Sequence, residues 1–143
     1  MTDLRYATGF RVSLQVALVA CFLAGGAAAQ APRPTVNLIY PTEGAIVRAG
    51  TLKVIMSVKA ATLTPADGTH DPRTGHFHLY LDKVPEPSTP IPQGVSGIWH
   101  TPATTFAITE VSPGVHTLIL VWAYGDHVPF SPWVSDTIMF EAK

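Results

Sequence analysis

Cysteine is almost absent. The 143-residue chain has one, Cys21, in an N-terminal stretch that reads as a removable leader. The rest of the chain can neither close a disulfide nor offer a thiolate to a metal or a substrate. Charge is also scarce: Asp, Glu, Lys and Arg make up 13% of the residues, with a formal net charge of −1. No basic excess marks a nucleic-acid surface or a patch for anionic lipid. Carboxylates occur singly, with no local pair for acid–base work. The chain lacks a G-x-S-x-G elbow, a phosphate loop, a dinucleotide fingerprint and an H-E-x-x-H helix. Beyond residue 29 there is no helical periodicity. These absences point away from an enzyme and toward an all-β binding or structural domain.

Arg5 and Arg11 lead into an apolar run over residues 12–23, broken only by Ser13 and Gln15, which exits through Ala27-Ala28-Ala29. A positive start, a short apolar run and an Ala-x-Ala exit predict a secretory signal peptide over residues 1–29. The run falls short of the ~20 apolar residues that a transmembrane helix needs. The competing reading is a lipoprotein signal acylated on Cys21. The small, apolar character of residues 22–29 favours plain cleavage. The expected location is therefore periplasmic or secreted, with membrane attachment only through a lipidated Cys21. Residues 30–34 read as a linker and residues 35–143 as one domain.

Apolar residues alternate with polar ones at period two in several short stretches, the signature of strands with one buried face. Strands are predicted at residues 35–40, 45–47, 51–59, 75–83, 104–109, 115–124 and 134–141. Pro41-Thr42-Glu43-Gly44 and Ser112-Pro113-Gly114 supply turns. Residues 60–74 and 84–97 read as loops, the second carrying Pro85, Pro87, Pro90 and Pro92. About seven strands with turns between them predict an immunoglobulin-like antiparallel β-sandwich. Met56 and Met139 read as core residues within their strands.

The stretch with chemistry in it is Gly75-His76-Phe77-His78-Leu79-Tyr80-Leu81-Asp82. Alternation puts Phe77, Leu79 and Leu81 on one face and His76, His78 and Tyr80 on the other. The apolar face seeks the core, so the imidazole face is expected at the surface. Antiparallel pairing of residues 75–83 with 115–124 brings the first strand's start beside the second strand's end. That places His127 next to His76 and His78, with His70, His100 and Asp126 as additional candidate partners. His116 falls at the opposite end, in a turn-into-strand position where an imidazole packs structurally. The predicted metal site is His76, His78 and His127. Neutral imidazoles suit copper or zinc, with copper favoured when both are free. The expected function is an exported, non-catalytic metal-binding module. The alternative is a structural or partner-binding periplasmic module whose histidines only tie loops together.

In chain order, the Gly75-His76-Phe77-His78-Leu79 strand, Pro90-Ile91-Pro92, Pro113-Gly114-Val115-His116-Thr117-Leu118 and Asp126-His127-Val128-Pro129 resemble an uncharacterised family of bacterial exported domains. That family is marked by a Gly-His-His-His-Leu strand and a Pro-Gly-x-His-Thr-Leu turn. The resemblance runs from about residue 41 to residue 140. This chain has Phe77 where a middle histidine is usual, and Trp99-His100 where a second His-x-His is often seen. The resemblance implies the fold and export, and names no activity.

Overall fold

The computed structural model describes residues 32–86 and 89–143. The signal peptide expected over residues 1–29, Cys21 and the first part of the linker lie outside them. Nine strands occur among the described residues. In chain order they are β1 (Thr35–Tyr40), β2 (Ala45–Val47), β3 (Gly50–Lys59), β4 (Thr62–Leu63), β5 (Thr74–Leu81), β6 (Ile98–Thr101), β7 (Thr105–Val111), β8 (Gly114–Ala123) and β9 (Ser135–Ala142). No helix occurs among these residues.

The strands form two sheets with a shared core between them, a sandwich-like arrangement. One sheet has the order β1-β3-β7. The other runs β2-β9-β8-β5-β4, with β6 also paired to β5. Leu52, Val54 and Met56 of β3 and Ile108 of β7 meet Phe77 and Leu79 of β5, Leu118, Leu120 and Trp122 of β8, and Ile138 and Phe140 of β9. Each strand contributes every second residue, as the pleat demands. Met139 departs from the expectation of a core position: it is 49% exposed, because Ile138 and Phe140 occupy the inward positions of β9.

The sequence pattern predicts seven strands, and the two extra ones explain why. β4 and β6 have two and four residues, too short to show a period. Their pairing is dictated by the free edge of β5, which β4 meets in parallel at Thr74 and Gly75 and β6 meets antiparallel from Phe77 to Tyr80. β5 and β8 pair antiparallel as expected, with His76 opposite Ala123 and His78 opposite Val121. Residues 118–123 of β8 form an unbroken apolar run because the strand lies between β9 and β5 with both faces of its second half covered.

The expected surface position of the imidazole face is corrected by the fold. His76 and His78 are each only 1% exposed. Ile91, from the proline-containing segment after β5, packs with Tyr80, Val121 and Ala123 on the outer face of the sheet. The backbone N–H of Ile91 donates to the carbonyl of His127 at 2.9 Å, which draws this segment and the loop after β8 together over the two histidines. The prolines rule out a helix or an inner strand there, yet they do not prevent the segment from serving as a cover. Strand β5 is thus buried on both sides, with hydrocarbon on one and imidazole on the other.

At the far end of β5, His116 plays the structural part expected of it. Its Nδ1 donates to Asp82 Oδ2 at 2.6 Å and its Nε2 to the Ser112 carbonyl at 2.8 Å. Asp82 Oδ1 in turn accepts from the Thr117 N–H at 2.9 Å. Burial works against a charge on His116, but the Asp82 carboxylate and the Ser112 carbonyl outweigh it and raise its pKa. The imidazole closes the β7–β8 turn and ties it to the end of β5.

Candidate metal centre

Two of the three central histidines owe their placement to the two-residue period of β5. The third comes from the hairpin loop between β8 and the segment leading to β9. Tyr124 N–H donates to the Val128 carbonyl at 3.0 Å, and His127 N–H donates to the Tyr124 carbonyl at 3.0 Å. This encloses a three-residue loop of Gly125, Asp126 and His127. Asp126 Oδ1 stiffens it by accepting from the Val128 N–H at 3.1 Å. Such loops end on a residue in the left-handed region, where glycine is the easy choice. Here the position belongs to His127, with φ of 66°. A side chain held in a costly backbone conformation is a common mark of a functional position. Removing that cost should be measurable. With chelator present, His127→Gly is expected to be about 1 kcal/mol more stable than His127→Ala, reversing the usual order of the two residues. Thermal unfolding of both variants checks it, and equal stabilities would mean that the loop stores no strain.

The three rings converge on one point. His76 Nε2 and His78 Nε2 are 2.9 Å apart. His127 Nδ1 lies 3.3 Å from the first and 3.4 Å from the second. Ligands ~2.0–2.1 Å from a tetrahedral ion stand ~3.3 Å from one another, so these separations are those of one face of a coordination tetrahedron. The point in their plane equidistant from all three is about 1.9 Å from each, and an ion slightly above it reaches the Zn–N bond length. All three residues are buried.

Hydrogen bonding alone accounts poorly for this arrangement. A neutral imidazole has one N–H and one lone pair. A bond between the Nε2 atoms of His76 and His78 leaves His127 Nδ1 facing two nitrogens that already share a proton. A single cation meets all three lone pairs at once. The rings are in the form that a metal needs. Burial, reinforced by the His127 and His100 rings, holds His76 down to about 4. Burial and the neighbouring imidazoles hold His78 down to about 2. Burial and the His100 ring lower His127 as well. At neutral pH the trio is therefore uncharged, and no proton need leave before a metal binds.

Gln93 is a member that sequence reading missed. Its amide nitrogen lies 2.9 Å from His127 Nε2. A half-turn of the amide exchanges its nitrogen and oxygen, which the hydrogen bonds they make assign. In that orientation the oxygen accepts the Nε2–H and fixes the Nδ1 lone pair toward the other two rings. A ligating imidazole held by its far nitrogen in this way binds its metal more tightly. Gln93→Leu is accordingly expected to weaken Zn(II) or Cu(II) binding by about tenfold while leaving the fold intact. Calorimetric titration beside the parent protein measures it, and an unchanged affinity would remove Gln93 from the site. Nothing in a Pro-Gln-Gly triplet announces this role.

Of the additional candidates, His100 stands beside the trio and the other two do not join it. Asp126 Oδ2 accepts from His70 Nδ1 at 2.8 Å, and the His70 ring stacks on Tyr124 with centroids 3.6 Å apart. That pair braces the base of the loop and leaves His127 as its contribution to the centre. Trp122 is wholly buried in the core.

Residues 54–143 match the family described as a domain of unknown function (DUF4399), and the chain belongs to that family. No curated protein matches it. Among solved structures, a crystal structure of an engineered protein (Northeast Structural Genomics Consortium Target OR128) is 14% identical, with a TM-score of 0.45. The match covers 80% of this chain and 21% of that longer one.

Proposed function

We propose that this member of the DUF4399 family is an exported, immunoglobulin-like, non-catalytic metal-binding module that holds a copper or zinc ion on His76, His78 and His127. The observation that carries the reading is the convergence of three buried ring nitrogens, from two separate parts of the chain, at 2.9, 3.3 and 3.4 Å from one another. Three imidazoles suit Zn(II) and Cu(II), and copper binds such donors more tightly when both ions are free. The converging donors among the described residues are all imidazoles, a set that suits holding an ion. Export rests on the charged start, apolar run and Ala-x-Ala exit of residues 1–29, and gives a periplasmic or secreted location. The loop-tying role that the alternative reading gave to all the histidines falls to His70 and His116, each bonded to an aspartate.

Titration of chelator-treated protein with Cu(II) and with Zn(II) should give one equivalent bound at submicromolar affinity. The His76→Ala/His78→Ala double variant should bind neither ion at that affinity. A folded parent protein that binds neither ion overturns the reading.

A further inference from the structure

We infer that His100 supplies a fourth nitrogen to the same ion, closing the centre from its solvent side. This rests on the three-histidine reading. Strand β6 places His100 directly opposite His78 across the β5–β6 pair, and cross-strand partners project from the same face of a sheet. The His100 ring centre lies 5.2 Å from that of His127, 5.9 Å from that of His78 and 6.0 Å from that of His76. Within the trio the ring centres are 4.7, 4.8 and 5.2 Å apart. His100 therefore stands as near to His127 as His78 does. The other polar side chains around the trio have different work: Gln93 holds the far nitrogen of His127, and Asp126 is bonded to His70 and the Val128 N–H.

His100 differs from the trio in being exposed. Its side chain has room to turn about its own torsions, whereas His76 and His78 are fixed by packing. Three ligands leave one corner of a tetrahedron open, and a ring that swings in from the rim fills it without disturbing the sheet. Four imidazoles with no coordinating water make a closed site, which holds an ion and does no hydrolytic chemistry on it. The exposed ligand is also the first to let go. The ion then enters and leaves past His100, one nitrogen at a time, and the buried trio never has to be uncovered.

Cobalt(II), which takes zinc sites and reports its coordination in its visible spectrum, serves as the probe, with Zn(II) competition for affinity. The parent protein should show the intense bands of a four-coordinate site. His100→Ala should bind at least tenfold more weakly, release the ion faster and show a shifted spectrum, and free imidazole should restore the parent bands. His100→Ala with the parent's affinity and spectrum overturns the inference while leaving the trio standing. A parent protein that takes up neither Co(II) nor Zn(II) overturns the trio itself, a result distinct from an unchanged His100→Ala.

Discussion

Gly75→Ala should cost the domain at least about 3 kcal/mol, the upper end of what overpacking a core costs. A methyl group at this position points at the backbone carbonyl oxygen of Ala123, and stands 2.9 Å from Trp122 Cε2 and 3.0 Å from Cζ2. Neither neighbour has anywhere to go. The carbonyl belongs to the last residue of β8, and the Trp122 ring is enclosed in the core, in edge contact with Phe77 at a centroid distance of 5.4 Å. The opposite side of Gly75 is engaged too, since its own carbonyl accepts from the Thr64 N–H at 2.8 Å. Against a total stability of ~5–15 kcal/mol, the loss is enough to bring the midpoint of urea unfolding down sharply. A double-mutant cycle separates the two contacts. In a Trp122→Leu background the cost of Gly75→Ala should shrink but not vanish, because the Ala123 oxygen remains. A Gly75→Ala protein as stable as its parent would show that β5 and β8 do not approach this closely. The site depends on that approach, because His76 is the next residue and faces Ala123 across the same pair of strands.

The trio was legible in the sequence because it rests on the two features a sequence states best. Alternation puts His76 and His78 on one face, and a short loop at the end of a paired strand brings His127 alongside. The register between β5 and β8 follows from their apolar faces, since a one-residue slip would turn Phe77 and Leu79 outward. The burial of the imidazoles was not legible. Period-two reasoning assigns one face to the core and treats the other as solvated, and it has no means of seeing that Ile91 folds back onto Tyr80 and Val121. For the same reason Gln93 was hidden, and His100, a candidate partner by residue type, had no readable place. Their positions come from a segment whose course is set by tertiary contacts, and from a four-residue strand that exists because β5 has an edge to pair with. His100 had a weak signal, in that Trp99-His100 alternates apolar and polar beside the proline-containing segment. Gln93 had none.

The burial of those rings makes the metal-free protein sensitive to acid in a window well above that of ordinary carboxylates. In the unfolded chain His76 and His78 take up protons near pH 6.5. In the folded protein burial holds them down to about 4 and about 2. Below pH 6.5 the unfolded chain therefore binds more protons than the folded one, and stability falls as pH falls. It is fully present above pH 6.5. Each ring costs up to about 1.4 kcal/mol per pH unit within its window, so the two together remove about 3 kcal/mol between pH 6.5 and pH 5, and His127, also lowered, adds to the loss. His116 works in the opposite sense and in a different window. Its raised pKa contributes stability that is fully present below pH 6.5 and disappears as pH rises through its folded value, so it does not offset the acid loss. Urea unfolding with chelator at pH 7.5 and pH 5 should show a large drop in midpoint for the parent protein. His78→Leu, which replaces a buried titrating ring with a side chain suited to its neighbour Val121, should show a clearly smaller one. Saturating Zn(II) should protect at pH 7.5 and protect progressively less toward pH 5, because protons and the ion compete for the same lone pairs. A metal-free protein equally stable at both pH values would mean that these imidazoles are hydrated, and the closed centre would lose its physical basis.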